Sequence, residues 1–396
     1  MKSKKISTDK ATIDEILSRG VSEVIDKKNL EEKLLSGGEL RVKLGIDPTS
    51  PNIHLGRAVV LLKLRDFQEL GHKIIFLIGD FTGTIGDTSD KDSERPMLSA
   101  EAVKKNMKEY VAQASKIIDI KKTEIVYNSK WLKKLNFAEI GFQADAFSLS
   151  DFIDRDNIKR RLDTGTRVSL REVLYPLMQG YDSVAVRADV ELGGTDQKFN
   201  LLAGRTLQKT YKQKPQNILT MNIIPGSDGR KMSSSWGNTI NLIDSANDMF
   251  GKIMSIPDDL IVSYFIHCTR LPMHEVKTVG EHLSSGKNPK ELKMKLGKEI
   301  VKMYHGEKKA NEAEQYFIST FQKKEIPDEI AEFPIAGKNI VEATVASGLA
   351  SSNSEVRRLI SEKGIKINGE IISSADVTIK SGDIIQKGKR FFAKAK

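Results

Sequence analysis

The most informative segment of this chain is the loop Gly45-Ile46-Asp47-Pro48-Thr49-Ser50-Pro51-Asn52-Ile53-His54-Leu55-Gly56-Arg57. Residues 40–44 before it alternate apolar and basic side chains, as a strand does, and the apolar-rich residues 58–70 after it end at Gly71, as a helix does. Residues 73–80 then contain a continuous apolar run of strand length. This order of strand, loop, helix and strand predicts the opening of a parallel sheet, in which ligands bind beyond the carboxyl ends of the strands.

The loop contains side chains that suit a nucleotide. Asp47 follows the predicted strand, while Thr49 and His54 are hydrogen-bond donors beside a helix N-terminus, which favours phosphate. Gly56 has no side chain, so that a flat base or a ribose has room against the backbone. A second interpretation stays open at this point: the prolines build an ordinary turn, and His54 is a polar residue at the start of a helix.

Length and composition are those of an ordinary globular protein with an excess of basic residues. The 396 residues indicate two or three domains, and the hydrophobic content of 39% is sufficient for a sizeable core. The net charge of +10 is a weak indication of a polyanionic partner. The lone Cys268 excludes an internal disulfide, and the six histidines form no ligand-spaced pair, so we assign no metal ligand.

No part of the sequence predicts contact with a membrane. The charged residues 1–5 are not followed by the apolar core of a secretory signal, and no segment has the length of an uncharged membrane span. We therefore expect a protein of the reducing cytoplasm.

The remaining sequence divides into helical, strand-like and irregular segments. Periodicity predicts helices over residues 7–36, 98–119 and most of 241–322, strands over 123–128 and 183–186, and an irregular insertion within the sheet domain over 131–161.

Polar residues recur in three downstream segments. If residues 175–182 are helical, Tyr175, Gln179 and Asp182 lie at i, i+4 and i+7, on one face. Residues 191–197 are predicted to be a Gly-rich turn that opens a helix, and residues 225–235 a flexible loop with an Arg-Lys pair. Each segment alone also fits a simpler interpretation, namely a solvated helix face, an ordinary turn or a linker.

Together these segments resemble the bacterial tyrosyl-tRNA synthetases, which are class I aminoacyl-tRNA synthetases. His54-Leu55-Gly56-Arg57 resembles the HIGH motif of that family, and Lys231-Met232-Ser233-Ser234-Ser235 resembles its KMSKS motif. Gly193-Gly194-Thr195-Asp196-Gln197 resembles the loop that contacts ribose and amino acid, and Gly86-Asp87 the turn whose aspartate holds the substrate ammonium. Residues 353–369 are similar to the S-four RNA-binding module.

The resemblance implies roles for individual residues. Those implied to be catalytic are Thr49, His54, Lys91, Arg95 and Lys231. Those implied to bind ATP are Asp47, His54, Gly56, Arg57, Gly194, Asp196, Lys231, Met232 and Ser233. Those implied to bind tyrosine are Asp87, Tyr175, Gln179, Asp182 and Gln197, and those implied to bind RNA are Arg357, Arg358 and Lys366.

The chemistry that the resemblance implies fits these residue types. The carboxylate of tyrosine is ionised at neutral pH, so its attack on the α-phosphate of ATP needs no general base, and catalysis rests on positioning and on charge stabilisation. Mg²⁺ is expected to arrive with ATP, because the sequence shows no cage of carboxylates. In a second step the terminal ribose of tRNA(Tyr) attacks the activated carbonyl.

Three residues depart from the family pattern. Arg57 stands where the HIGH motif usually ends in histidine, and Ser234 stands where KMSKS has its second lysine. Lys43 stands where many relatives have a tyrosine that contacts the substrate hydroxyl. A lysine there either donates to the same hydroxyl or points away from it.

The resemblance also implies an α/β fold, three domains and a homodimer. The expected domains are a Rossmann-like parallel-sheet catalytic domain over 1–235, an α-helical anticodon-recognition domain over 236–325, and a small α+β RNA-binding domain over 335–396. The insertion near 131–161 is expected to form the dimer contact.

Two alternatives stay open. A tryptophan-charging relative has the same architecture, although an indole lacks a hydroxyl group to satisfy Asp182. A catalytically silent RNA-binding protein on the same scaffold is the second alternative, although it has no chemical need for the full set of motifs.

Overall fold

The computed structural model describes residues 6–87, 97–233, 236–322, 330–388 and 391–396. Contacts between residues divide the chain into two units, Met1–Ala310 and Asn311–Lys396. Each unit contains one sheet within the described residues.

The sheet of the first unit is mostly parallel. Its strands are β1 Val21–Ile25, β2 Arg41–Ile46, β3 Lys73–Ile78, β4 Thr123–Tyr127, β5 Val190–Gly194 and β6 Asn217–Met221. They lie in the order β1-β6-β5-β2-β3-β4, with β1 antiparallel to β6 and every other pair parallel. The prediction of a parallel-sheet α/β fold is confirmed.

Helices connect these strands and continue beyond the sheet. Up to β6 they are α1 Lys10–Ile16, α2 Lys27–Leu35, α3 Leu55–Leu70, α4 Thr82–Ile85, α5 Ala100–Ala114, α6 Ser129–Leu132, α7 Phe137–Ala144, α8 Leu149–Ile153, α9 Asp156–Asp163, α10 Leu170–Val186 and α11 Lys198–Thr210. After β6 they are α12 Ala246–Met254, α13 Ile261–Cys268, α14 Met273–Ser284, α15 Pro289–His305 and α16 Glu307–Phe317.

The strand order creates a point where the connections diverge. The chain leaves β2 through α3 towards β3, and it leaves β5 through α11 towards β6, on the other side of β2. Since β2 and β5 are adjacent and parallel, the loops at their carboxyl ends separate and leave a crevice between them.

The inner strands are buried because helices cover the sheet. Five of the six residues of β3 and all five of β6 are buried, the pattern expected of parallel strands with both faces packed. Helices α10 and α11 approach closely at Gly180, where a Cβ atom would lie 3.0 Å from the carbonyl carbon of Ala203. This close approach fixes the position of α10, which carries three of the residues implied to bind tyrosine.

Three local predictions were wrong. Residues 7–36 are not one helix, because the edge strand β1 separates α1 from α2. Residues 183–186 belong to the last turn of α10, and the next strand is β5, which includes part of the segment interpreted as a turn. Short apolar runs of this kind fit a buried helix or a strand equally well, so periodicity does not distinguish them.

The second unit has a core of its own. Its elements are β7 Glu332–Phe333, α17 Ile340–Ala346, α18 Asn353–Ser361, β8 Ile365–Ile367, β9 Glu370–Ile371, β10 Ile384–Lys387 and β11 Phe391–Ala395. Within the described residues the strand order is β7-β11-β10-β8-β9. Buried apolar side chains from the helices and strands, including Ile340, Val356, Ile365 and Ile385, form one cluster.

No helix in the described ranges combines the length and the apolar character that a membrane crossing requires.

Candidate active site

One cleft at the carboxyl ends of β2 and β5 gathers the implied residues of the first unit. Its volume of about 450 Å³ is typical of ligand pockets, which measure roughly 300–1,000 Å³. The implied residues that line it are Asp47, Thr49, His54, Gly56, Arg57, Asp87, Tyr175, Gln179, Asp182, Gly194, Asp196, Gln197, Lys231, Met232 and Ser233. Lys91 and Arg95 lie outside the described residues.

His54 and Gly56 form the wall of the cleft at the N-terminus of α3. His54 immediately precedes the helix, and its side chain is buried. A Cβ atom on Gly56 would lie 3.1 Å from Nδ1 of His54, so a larger residue would press on the imidazole. The backbone N–H of Gly56 donates to Sδ of Met232 at 3.4 Å. The glycine therefore lets His54 and Met232 approach the helix start together.

Backbone hydrogen bonds join the segment of His54 to the segment that follows the Lys231 loop. The N–H of Leu55 donates to the carbonyl oxygen of Ile240 at 2.8 Å, and the N–H of Leu242 donates to that of Ile53 at 2.9 Å. The HIGH-like motif and the segment that follows the KMSKS-like motif thus meet through a short antiparallel bridge.

Asn238 fixes the shape of the loop that carries Lys231. Its Nδ2 donates to the carbonyl oxygen of Lys231 at 3.1 Å, and its Oδ1 accepts from the backbone N–H of Ser233 at 2.8 Å. Nδ2 also donates to Asp228 at 2.7 Å, and this hydrogen bond is the main reason why the pKa of Asp228 falls to about 2. Asn238 therefore links residues 228, 231 and 233 of this loop.

Lys231 forms an ion pair with Asp196. Its Nζ lies 3.1 Å from Oδ2 of Asp196, and both side chains line the cleft. A Cβ atom on Gly194 would lie 2.5 Å from Oδ1 of Asp196, so the glycine makes room for this carboxylate. The cation implied to contact phosphate and the carboxylate implied to contact ribose are therefore neighbours.

His54 is neutral at physiological pH. Burial lowers its pKa to about 3, and the nearby charges of Arg57 and Lys231 lower it further in the same direction. A neutral imidazole donates one hydrogen bond without adding a charge, so His54 is suited to binding a phosphate oxygen and not to acid catalysis.

Arg57 places a fixed positive charge beside Thr49. Its Nη2 donates to Oγ1 of Thr49 at 3.3 Å, and its guanidinium carbon lies 5.6 Å from the ring centroid of Tyr110. The aromatic face holds the guanidinium in place through a cation–π contact. The residue that departs from the HIGH pattern is thus part of the cleft wall.

Asp47 connects the β2 loop to two other elements. Its carboxylate accepts hydrogen bonds from the hydroxyl of Tyr175 at 2.8 Å and from Oγ1 of Thr82 at 2.7 Å. A Cβ atom on Gly79 would lie 1.9 Å from Oδ1 of Asp47, so only glycine permits this arrangement. Thr82 was not identified from the sequence, because an isolated threonine after a strand has no distinctive pattern.

Tyr175 is a neutral donor inside an acidic pocket. Burial raises its pKa well above 10, and the negative charges of Asp47 and Asp87 raise it further. Gln197 donates to Asp87 at 2.7 Å and accepts from Asn200 at 3.1 Å, which orients the second carboxylate. Carboxylates and neutral polar groups of this kind suit a substrate ammonium group.

Asp182 is a buried carboxylate held by two N–H donors. Only 2% of its surface is exposed, and it accepts from Nε1 of Trp131 at 2.7 Å and from Nδ2 of Asn128 at 3.2 Å. Burial raises its pKa to about 7, and the charge of Lys43 and these two hydrogen bonds oppose the rise. A carboxylate in this position is a strong acceptor for a ligand hydroxyl.

Asn128 and Trp131, the two donors to Asp182, were not identified from the sequence as residues of the candidate site. Asn128 directly follows β4, so its position at the carboxyl edge of the sheet could have indicated that it lies near the cleft. Trp131 was assigned to the irregular insertion, which the structure resolves into the short helices α6 to α9.

Among the described residues, no group of three or more His, Cys, Asp and Glu side chains is placed to hold a metal ion.

Two protein families match this chain. The family described as tRNA synthetases class I (W and Y) matches residues 35–322, and the S4 domain matches residues 343–385. Tyrosine–tRNA ligase 2 of Clostridium acetobutylicum is 46% identical over 387 residues, which cover 96% of this chain and 97% of that protein. The tyrosine–tRNA ligase of Thermotoga maritima is 46% identical over 382 residues, 95% of each chain.

The chain belongs to the tyrosyl-tRNA synthetase family.

Solved structures of synthetases share the fold. The tyrosyl-tRNA synthetase of Archaeoglobus fulgidus in complex with L-tyrosine has a TM-score of 0.62 at 21% identity, covering 78% of this chain and 100% of that one. The C-terminally truncated mitochondrial synthetase of Aspergillus nidulans has a TM-score of 0.65 at 21% identity, covering 77% of this chain and 92% of that one. The class I architecture implied by the motifs and the C-terminal S-four module are confirmed.

Replacement of His54 tests its role as a neutral donor. We expect His54→Ala to lower the rate of tyrosine-dependent ATP–pyrophosphate exchange by roughly 10²–10³-fold, because one donor to the transition state is lost. His54→Asn, which keeps a neutral donor, should retain more activity and the wild-type pH profile above pH 5, since the pKa of His54 is about 3. His282→Ala, on an exposed face of α14, is the control. A His54→Ala enzyme within threefold of the wild-type rate would contradict the role.

Proposed function

We propose that this synthetase activates L-tyrosine with ATP to tyrosyl-adenylate and pyrophosphate, and then transfers tyrosine to the 3′-terminal ribose of tRNA(Tyr). The buried carboxylate of Asp182 carries the proposal, because it lines the cleft with its oxygens oriented by Asn128 and Trp131. A ligand without a hydroxyl leaves such a carboxylate unpaired, which costs binding energy. The names of the relatives, tyrosine–tRNA ligases, support the same substrate.

The first step is a displacement at phosphorus. A carboxylate oxygen of tyrosine forms a bond to the α-phosphorus, and the bond from that phosphorus to the oxygen bridging to the β-phosphate breaks. Thr49 and His54 donate to phosphate oxygens, and Lys231 balances the charge of the departing pyrophosphate. Lys91 and Arg95, which lie outside the described residues, are proposed from the sequence to close on the same group. No proton transfer is needed, so catalysis is positioning and charge stabilisation.

The nucleotide is proposed to lie along the divergence of the β2 and β5 loops. Its contacts come from residues that line the cleft on both sides, namely Asp47, Gly56, Arg57, Gly194, Asp196, Met232 and Ser233. Mg²⁺ is proposed to enter as the ATP complex and to neutralise the phosphate oxygens, since phosphates and water are its usual ligands.

Tyrosine is proposed to lie with its ring towards Asp182 and its ammonium towards Asp87. Tyr175, Gln179 and Gln197 surround the ammonium end. Tryptophan is the second candidate substrate, since the matching family covers both amino acids. The indole has no hydroxyl to place on Asp182, so tyrosine is favoured. A silent RNA-binding protein is disfavoured because the described catalytic residues converge in one cleft.

The remaining parts of the chain are proposed to bind tRNA. We retain the boundaries 1–235, 236–325 and 335–396 for a catalytic, an anticodon-recognition and an RNA-binding domain. Arg357 and Arg358 are exposed on α18, and Lys366 is half-buried on β8 of the S4 domain. Cations on a helix and an adjacent strand suit contact with the phosphates of RNA.

We also propose that the enzyme is a homodimer that works in the cytoplasm, where tRNA is charged. The insertion and the start of α10 expose large apolar side chains, namely Phe137, Phe142, Leu149, Ile153, Leu162 and Leu170. Phe137 is 93% exposed and Leu149 65% exposed. Apolar surface concentrated in one segment is typical of an interface, and a second copy of this chain would bury it.

Replacement of Asp182 tests the phenol contact. We expect Asp182→Ala to lower the preference for tyrosine over phenylalanine by roughly 10–100-fold in kcat/KM for exchange, because a hydrogen bond to a charged group is lost. Asp259→Ala, an exposed aspartate, should leave the preference unchanged. An unaltered preference in Asp182→Ala would remove Asp182 from the pocket assignment.

Replacement of the exposed arginines tests the RNA surface. The double variant Arg357→Ala/Arg358→Ala should charge tRNA roughly tenfold less efficiently and reduce the salt dependence of charging by about two ions, with exchange unchanged. Lys394→Ala is the control, since Lys394 pairs with Glu332 at the opposite edge of the sheet. Equal losses of charging and exchange would contradict a separate RNA role.

Charges placed on the exposed apolar segment test the dimer. Leu149→Lys should weaken self-association by roughly 10–100-fold in sedimentation, because burial of a leucine contributes about 1.5–3 kcal/mol. Ile371→Lys, at an exposed apolar residue of the second unit, should leave self-association unchanged. A monomeric wild-type enzyme at micromolar concentration, or an unaffected Leu149→Lys dimer, would contradict the proposal.

A further inference from the structure

A fully buried ion pair lies beside the cleft, between β2 and β5. Nζ of Lys43 is 2.7 Å from Oε1 of Glu191, and the two side chains are 0% and 1% exposed. The two residues are direct register partners in the parallel pairing of the strands. Lysine and glutamate are almost never fully buried unless they are paired, and desolvation makes such a pair a weak source of stability. The presence of this pair beside the cleft therefore needs an explanation other than its contribution to stability.

The ammonium group of Lys43 has all three of its N–H donors engaged by protein. Besides Glu191, it donates to Oγ of Ser183 at 2.9 Å and to the carbonyl oxygen of Gln179 at 3.3 Å. Lys43 therefore does not offer its ammonium to a substrate hydroxyl in this structure. It points instead to helix α10.

Glu191 is equally well satisfied. Its Oε2 accepts from Oγ of Ser183 at 2.7 Å and from Nε2 of Gln216. A Cβ atom on Gly204 would lie 3.0 Å from Oγ of Ser183 and 2.6 Å from Nε2 of Gln216, so α11 closes over the network. The network thus ties two strands to two helices at one point.

This network holds the turn of α10 that carries the proposed tyrosine contacts. Lys43 bonds to residues 179 and 183, the first and the last of the turn, and Asp182 lies between them. Gln179, Asp182 and Lys43 all line the cleft. A shift of this turn would move both proposed contacts at once.

The same pair sets the charge around Asp182. Burial drives the pKa of Asp182 up to about 7, Lys43 is the largest influence in the opposite direction, and Glu191 adds to the rise. The phenol of Tyr175 also interacts with Asp182, and Asp47 and Asp87 act on that phenol. At neutral pH Asp182 is therefore only partly ionised, and a change in the nearby charge alters its ionised fraction.

We propose that the Lys43–Glu191 pair is a specificity-determining element of the tyrosine pocket: Lys43 clamps the 179–183 turn and places its positive charge near Asp182, which accepts the hydrogen bond of the phenol. This inference rests on the proposed contact between Asp182 and tyrosine. An ionised acceptor matters because hydrogen bonds to charged groups are roughly twice as strong as neutral ones. Lys43 is a positioning residue, since it acts on the substrate only through α10 and Asp182.

The test is the pH dependence of kcat/KM for tyrosine in ATP–pyrophosphate exchange, which reports groups of the free enzyme. Activity should fall as Asp182 becomes protonated below its pKa of about 7. Lys43→Met should move this acidic limb upward by about one pH unit, because an opposite charge is removed. Glu191→Gln should move the acidic limb downward. The limb of the double variant Lys43→Met/Glu191→Gln should lie between those of Lys43→Met and the wild type.

The preference for tyrosine over phenylalanine gives a second readout. A rise of one unit from a pKa of 7 lowers the ionised fraction of Asp182 at pH 7 about fivefold, so the preference of Lys43→Met should fall about fivefold at that pH and recover at pH 9. If Lys43→Met fails to fold, Glu191→Gln still tests the shift in the opposite direction.

The buried pair Arg161–Glu172, at 2.5 Å, is the matched control. Its double variant Arg161→Met/Glu172→Gln should leave the acidic limb in place. The inference would be overturned if the acidic limb stayed in place in every variant of Lys43 and Glu191 while KM for tyrosine rose equally at all pH values. The pair would then have only a structural role.

Asp182→Ala separates failure of this inference from failure of the proposed function. If Asp182→Ala keeps the full preference for tyrosine, the phenol contact itself is wrong. If Asp182→Ala loses the preference while the Lys43 and Glu191 variants leave the limb in place, only the role of the pair is wrong.

Discussion

β2 and β5 pair in parallel at the centre of the sheet, yet the chain continues from them in opposite directions along it. This divergence separates the loops after the two strands and opens the cleft. The HIGH-like loop follows β2, the Gly194–Gln197 segment follows β5, and α10 packs beside both. The buried pair of Lys43 and Glu191 joins the same two strands, so the strand pairing that opens the cleft also holds the proposed tyrosine pocket.

Burial determines the charge of the groups in this cleft. His54 is kept neutral by desolvation beside Arg57 and Lys231, which suits a hydrogen-bond donor to phosphate. Asp182 is desolvated as well, but Lys43 and two N–H donors oppose the effect. The proposed phosphate end of the cleft thus contains the neutral His54 and the cations Arg57 and Lys231, the latter paired with Asp196, and the proposed amino-acid end contains Asp87 and Asp182. This separation of charge matches the two substrates of the proposed reaction.

The sequence predicted the fold class and the composition of the cleft because its motifs are local. The loop 45–57 and the face of α10 each lie in one continuous segment, so their spacing identifies them. It did not predict the strands β1 and β5 correctly, because short apolar runs have no decisive period. Asn128, Trp131 and the Lys43–Glu191 network were not recognised, because they depend on contacts between segments more than 50 residues apart.

The central claim is that the cleft activates tyrosine and not another aromatic amino acid. The most direct measurement is ATP–pyrophosphate exchange without tRNA, with tyrosine, tryptophan and phenylalanine offered separately to the purified enzyme. Exchange driven by tyrosine alone is the expected result. Exchange with tryptophan in place of tyrosine would contradict the assignment of Asp182 as the phenol acceptor, although the fold would still stand. If the folded protein showed no exchange with any of the three amino acids, the proposed synthetase activity would be contradicted.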